Sequence, residues 1–169
     1  MADDELPAPR RSPLAELCFV RLPYVVTGTL FLACILINIA NVIGRYVFAQ
    51  PIFWAEEVLV FIIIWAVFLA AASIVYRGES LNMDLFYALM KGRLKFIVNT
   101  AIVVLFIGCA GIVVVQSYKV VLLYVEGGGV SVAAGVPMVV PHAAILVGFC
   151  LMILALLVRL RAYATGDFK

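Results

Sequence analysis

Three charged side chains stand between the first two hydrophobic runs of the chain, in the stretch from Asn41 to Glu57. Arg45 ends the first run, and Glu56 and Glu57 open the second. An arginine and a carboxylate at neighbouring helix ends can form a hydrogen-bonded ion pair. We therefore expect Arg45 to pair with Glu56 or Glu57 and to clamp the two helices together. The alternative is that these charges, with Trp54 beside them, form a docking surface for another protein.

Polar side chains also lie along one side of the first hydrophobic run. At about 100° per residue, Thr27, Cys34, Asn38, Asn41 and Arg45 fall within an arc of about 60° on a helix. An asparagine that faces lipid leaves its amide unpaired, at a cost of about 2–7 kcal/mol. We therefore predict that the stripe with Asn38 and Asn41 faces protein. Helix packing is the first interpretation, and a polar path for a solute is the second.

The composition places this chain in a membrane. Hydrophobic residues make up 66% of it, charged residues 13%, and the mean hydropathy is +1.18. Soluble domains have about 45–50% apolar and about 25% charged residues. Four continuously apolar runs are long enough to cross a bilayer as helices, which need about 20 residues each. These predicted spans of an all-α integral membrane protein are 22–43, 55–76, 96–118 and 138–158.

The distribution of lysine and arginine predicts the orientation of these spans. Ten of the 12 basic residues lie in the tail 1–21, the second connection and the end of the chain, while Arg45 and Lys119 lie on the opposite side. Basic residues concentrate in cytoplasmic segments, so we expect both tails, 1–21 and 159–169, to be cytoplasmic. The first run is longer than the core of a signal peptide, about 7–15 residues, and we expect it to remain as a helix.

The second connection has the pattern of a short amphipathic helix. Leu81, Leu85 and Leu89 recur every fourth residue, Asp84 adds charge, and basic residues follow. Such a helix lies in the membrane interface, with its basic end near anionic lipid headgroups. We predict this interfacial helix between the second and third spans.

Neither catalysis nor a resident cofactor is expected. His142 is the only histidine, which excludes bis-histidine haem and histidine-rich metal clusters within this chain. The centres of all four predicted spans lack Asp, Glu, Lys, Arg and His, the residues that mark ion pathways in membranes. A formal charge of +2 is too small to indicate nucleic-acid binding. The chain is predicted to be a membrane scaffold that contacts its partners at its edges.

The residues also resemble a known family, the small membrane subunit (DctQ type) of tripartite ATP-independent periplasmic (TRAP) transporters. The similarity extends over the whole chain, and its specific pattern lies between about residues 38 and 85. Ser80 departs from this pattern, because many members have a histidine after the Gly-Glu pair. The matching residues are Asn41-x-x-x-Arg45-Tyr46-x-Phe48, Pro51-x-Phe53-Trp54-x-Glu56-Glu57, Trp65-x-x-Phe68-x-x-Ala71, Arg77-Gly78-Glu79 and Asp84-Leu85.

The resemblance implies a role in the bacterial inner membrane. It implies two partners: a large multi-span permease subunit (DctM type) and a periplasmic substrate-binding protein (DctP type) that delivers an organic acid. Sodium coupling would belong to the large subunit, and this chain would brace that subunit and help to dock the binding protein. Two alternatives remain: a four-span drug/proton exporter working as a homodimer, which needs an acidic residue inside a span, and a membrane anchor of an enzyme.

Overall fold

The computed structural model describes residues 16–78 and 93–160, and within these ranges the chain is built from helices. Four of them are long and apolar enough to cross a membrane, which confirms the predicted fold class. A π-helical turn, Leu17–Arg21, leads directly into the first one. The four are α1 (Leu22–Tyr46), α2 (Phe53–Arg77), α3 (Arg93–Gly127) and α4 (Val139–Val158).

The third helix extends beyond the predicted membrane span 96–118. It runs for 35 residues, from Arg93 to Gly127. At about 1.5 Å per residue its length is about 52 Å, well beyond a hydrocarbon layer of about 30 Å. The predicted interfacial helix, with Leu81, Asp84, Leu85 and Leu89, lies outside the described residues.

The four helices are arranged as a row. In it α2 packs against α1 on one side and α4 on the other, and α4 also packs against α3. The order across the row is therefore α1, α2, α4, α3, with α1 and α3 at its two ends. Burial is highest in α4 and lowest at the α1 end: 33% of the most apolar stretch of α4 is buried inside the chain, against 17% for α2 and α3 and 6% for the first span.

The helices begin and end on two opposite sides of the molecule, which we name by the segments that they hold. The loop side holds the connections 47–52 and 128–138, and the tail side is the opposite end, with Arg21, Arg77 and Arg159. The main buried cluster lies toward the tail side, where α2, α3 and α4 converge. Its members are Ala72, Val75, Tyr76, Val103, Met152, Ala155 and Leu156.

An aromatic and cationic stack completes the tail side. The rings of Phe19 and Tyr76 are stacked with their centroids 5.2 Å apart. The Arg159 guanidinium lies 5.6 Å from the Tyr76 ring centroid, and its Nη1 donates a 2.9 Å hydrogen bond to the Tyr76 carbonyl oxygen. Because the last carbonyls of a helix have no partner within it, Arg159 of α4 satisfies the end of α2.

Small side chains allow α2 and α4 to approach closely. A Cβ atom added to Gly148 would lie 2.6 Å from the Cβ atom of Phe68 and 2.9 Å from its ring. Without a hydrophobic effect between helices in lipid, their association depends on such close packing. Gly148 therefore determines how near the two central helices of the row can come.

We expect Gly148→Ala to destabilise the chain by about 1–3 kcal/mol, the usual cost of overpacking, because the added methyl group meets Phe68. Gly108→Ala in α3 is the matched control, since a Cβ atom there would meet no atom within 4 Å. The control should be neutral or stabilising by up to about 1 kcal/mol, the difference between Gly and Ala in a helix. Unfolding of the purified chain in mild detergent by added SDS, followed by circular dichroism, measures both. Equal stability of the two variants would contradict this packing.

Candidate functional site

An ion pair joins α1 and α2 on the loop side. Arg45 Nη2 donates to Glu56 Oε1 over 2.7 Å. The two side chains are 49% and 69% exposed, and exposed pairs contribute about 0–1 kcal/mol. Of the two glutamates that the sequence offered as partners, the structure places Glu56 against Arg45. Trp54 is partly exposed on the same first turn of α2.

Asn41 is a more deeply placed contact between the same two helices. Its Oδ1 accepts a 2.9 Å hydrogen bond from the backbone N–H of Ile52, and the residue is only 7% exposed. Ile52 immediately precedes α2 and has no side chain that could cap it. The first amides of a helix need an acceptor from elsewhere. A side chain of α1 therefore supplies an acceptor at the start of α2.

Asn38, one turn before Asn41, is placed differently. It is exposed, and no hydrogen bond joins its amide to the residues that the structure describes. The two asparagines of the predicted polar stripe therefore differ: Asn41 faces α2, whereas Asn38 is exposed outside the α1–α2 contact. The spacing alone placed both on one side of α1, but an arc of 60° is wide enough to cross the boundary of an interface.

The turn between α1 and α2 is compact. The Gln50 N–H donates to the Gly44 carbonyl oxygen over 2.9 Å. A Cβ atom on Gly44 would lie 2.9 Å from the Gln50 carbonyl oxygen, so a glycine is needed beneath this turn. Ala49 adopts a φ of 54°, a left-handed conformation that costs energy for a residue with a side chain. This turn brings Arg45, Asn41 and the start of α2 together.

Glu57 does not share the ion pair and instead binds the second connection on the loop side. The Ala133 N–H lies 3.1 Å from both carboxylate oxygens, and the Ala134 N–H donates to Oε2 over 2.8 Å. The Ser131 hydroxyl is a further hydrogen-bonding partner. Hydrogen bonds to a charged acceptor are stronger than neutral ones. Glu57 therefore ties the connection 128–138 to α2.

The connection 128–138 is folded so that it presents these amides. The Ser131 N–H donates to the Val136 carbonyl oxygen and the Met138 N–H donates to the Gly129 carbonyl oxygen, each over 2.9 Å. The Ser131 hydroxyl also accepts a 3.2 Å hydrogen bond from the Val136 N–H. Val132 stands fully exposed at the tip. The loop is thus held from within and by Glu57.

The sequence held a signal for this second role of the glutamate pair. Adjacent residues on a helix point about 100° apart. Glu56 and Glu57 therefore could not both face Arg45, and the second carboxylate needed another partner. The identity of that partner depends on how the connection 128–138 folds, which no local pattern revealed.

Two further contacts join the helices near the loop side. Trp65 Nε1 of α2 donates a 3.1 Å hydrogen bond to the Val140 carbonyl oxygen of α4. The rings of Tyr124 and His142 lie 4.7 Å apart, and His142 Nδ1 is 2.7 Å from the Met138 carbonyl oxygen. His142 is thus used in helix packing. In the described ranges, no three His, Cys, Asp or Glu side chains lie close enough to hold a metal ion.

These features define a multi-pass membrane protein whose polar contacts lie mainly on the loop side. Comparison with known proteins identifies the family: residues 34–165 match "Tripartite ATP-independent periplasmic transporters, DctQ component". The match covers most of the chain, so the chain belongs to this family of TRAP transporter components. The resemblance stated from the sequence is confirmed, and membership favours a transporter subunit over a small exporter or an enzyme anchor.

A curated relative agrees with this assignment. Over 82 residues the chain is 30% identical to the "Sialic acid TRAP transporter permease protein SiaT" of Haemophilus influenzae (strain 86-028NP). The aligned stretch is 48% of this chain but 13% of the relative. The similarity therefore concerns a small part of a much longer permease protein.

Asn41 and Asn38 make a matched pair for testing the contact at the start of α2. We expect Asn41→Leu to destabilise the isolated chain by about 1–3 kcal/mol, because the Ile52 N–H loses its acceptor. Asn38→Leu should change stability by less than about 0.5 kcal/mol, as exposed substitutions usually do. SDS-induced unfolding in mild detergent, followed by tryptophan fluorescence, compares the two. A larger loss in the Asn38 variant would refute the assignment.

Glu57→Gln should loosen the connection 128–138, because a glutamine has one acceptor oxygen and no charge to hold the amides of Ala133 and Ala134. We expect hydrogen–deuterium exchange of residues 131–136 to become several-fold faster, as measured by mass spectrometry of the purified chain. Glu56→Gln is the control: it weakens the pair with Arg45 and should leave exchange in this loop unchanged. Similar acceleration in both variants would show that the two glutamates do not have separate roles.

Proposed function

We propose that this chain is the non-catalytic small permease subunit of a sodium-coupled TRAP transporter that imports an organic acid across the bacterial inner membrane. Family membership over residues 34–165 carries this proposal. The relative's name, a sialic acid permease, supports an acidic substrate. The transported compound and the sodium ions bind to the large permease subunit in this proposal, and this chain braces that subunit.

The distribution of charge supports a bracing role. Between Val58 and Tyr76 in α2, and between Val139 and Val158 in α4, the sequence contains no Asp, Glu, Lys or Arg. Ionisable groups within the spans are the usual marks of an ion pathway through a membrane. The central helices of the row therefore suit packing, while the charged side chains Arg45, Glu56 and Glu57 organise the loop side.

The loop side supports a role in docking the binding protein. With both termini cytoplasmic, as the basic residues predict, this side faces the periplasm. Phe48, Phe53 and Val132 are exposed there, on the same side as the Arg45–Glu56 pair. Exposed apolar side chains rimmed by charges are typical of protein contact surfaces. Glu57 would keep Val132 in position for such a contact.

Reconstitution tests the proposed function. This chain, the large permease subunit and the binding protein are placed together in liposomes with an imposed sodium gradient, and uptake of labelled organic acids such as sialic acid is measured. We expect uptake to need all three proteins and the gradient, and to fall to background when this chain is omitted. Full uptake without this chain would refute the proposal. Proton-driven transport by this chain alone would establish the exporter alternative.

A further inference from the structure

The exposed side of α1 carries a regular seam. Residues spaced alternately by four and three positions line it, which is the spacing by which one helix packs along another. All of them are exposed in the described chain, at one end of the helix row. The seam consists of Tyr24, Gly28, Phe31, Ile35, Asn38, Val42 and Arg45.

Asn38 lies within the membrane part of this seam. It is seven residues from Arg45, about 10 Å along the helix at about 1.5 Å per residue, so its amide lies below the charged end of α1. Two other polar side chains of α1 have partners: Asn41 accepts from Ile52, and Thr29 Oγ1 donates to the Val25 carbonyl oxygen over 2.9 Å. Lipid tails offer Asn38 no hydrogen bond, so its partner must be protein.

A crevice continues the seam toward the tail side. It holds about 360 Å³ between α1 and α2 and is lined by Tyr24, Thr27, Gly28 and Phe31 with Ala70 and Ser73. Thr27 Oγ1 is buried and has no hydrogen-bond partner in the described chain. Gly28, Ala70 and Ser73 leave the space open because they are small. The crevice is large enough for a bulky side chain of a neighbouring helix.

We propose that one transmembrane helix of the large permease subunit packs along this seam. That helix places a hydrogen-bonding side chain opposite Asn38 and a large apolar side chain in the crevice. The proposal rests on the function proposed above and specifies the surface that braces the large subunit. A single asparagine within the membrane part of a helix seam sets the register and the choice of partner, and Asn38 has this role here.

Other occupants fit this surface less well. An acyl chain could fill the crevice but could not satisfy Asn38. A second copy of the chain in the same orientation would place Arg45, already bound to its own Glu56, against the other copy's Arg45, where neither guanidinium finds a new partner. At the other end of the row, α3 exposes Val104, Leu105 and Ile112 near its middle, which suit lipid.

Photo-crosslinking in the complete transporter tests the location. A photoreactive phenylalanine derivative replaces Ile35 or Val42, on either side of Asn38, and Leu105 or Ile112 of α3 serves as the matched control. The chain is expressed with its large subunit and binding protein, irradiated in native membranes and analysed by mass spectrometry. We expect adducts of Ile35 and Val42 with one transmembrane segment of the large subunit, and lipid adducts from the control positions.

Asn38 variants test the predicted hydrogen bond. We expect Asn38→Leu to reduce the amount of large subunit that co-purifies with the tagged chain by about three- to tenfold. This is the loss of affinity expected when one interhelical hydrogen bond in a membrane is removed. Asn38→Gln, which retains the amide, should restore most of it. Because the isolated chain should fold equally well with Asn38→Leu, a loss of co-purification reports assembly. Undiminished recovery with Asn38→Leu would overturn the assigned role of Asn38.

The other outcomes separate this proposal from the function on which it rests. Adducts with the large subunit only from α3 would overturn the seam and leave the bracing function intact. Adducts between two copies at Ile35 would also overturn the seam and leave the bracing function intact. Lipid adducts at Ile35, while the large subunit still co-purifies, would have the same meaning. Failure of the unmodified chain to co-purify with the large subunit would overturn both.

Discussion

The hydrogen bond from the Ile52 amide to Asn41 is the contact on which the arrangement of the loop side depends. It joins two helices across a connection of only six residues, 47–52. With the start of α2 held against the end of α1, Glu56 reaches Arg45, and Glu57 turns toward the second connection. A buried amide without an acceptor is costly, so this contact determines the register of α2 beside α1 more strictly than the exposed ion pair does.

The arrangement of the helices in a row also leaves α1 and α3, its two end helices, largely uncovered by the rest of the chain. The central pair, α2 and α4, approach closely at Gly148 and are joined at the tail side by Arg159 and at the loop side by Trp65. A closed bundle would have used its polar side chains internally. The open row instead keeps a long face of α1 available, and such a face suits a subunit that functions within a larger membrane complex.

Family membership and the geometry together describe a TRAP transporter component whose charged contacts lie at the ends of its helices. Its charges stabilise the ends of helices and one loop, and the membrane-crossing parts of α2 and α4 are apolar. The same carboxylates that appeared at first as a docking surface are used within the chain, with Glu56 on Arg45 and Glu57 on residues 133 and 134. The apolar side chains of Phe48, Phe53 and Val132 stay exposed on the same side of the molecule.

The sequence by itself determined the four spans, the family and the proximity of Arg45 to the glutamate pair, because continuous hydrophobicity and a short connection are local properties. It also indicated that Asn41 would face protein. Only the tertiary structure decided that Glu56 holds Arg45 while Glu57 binds the connection 128–138, and that Asn38 lies outside the contact between α1 and α2. These outcomes depend on the rotation of each helix and on which helices are neighbours in the row, and residues far apart in the chain decide both.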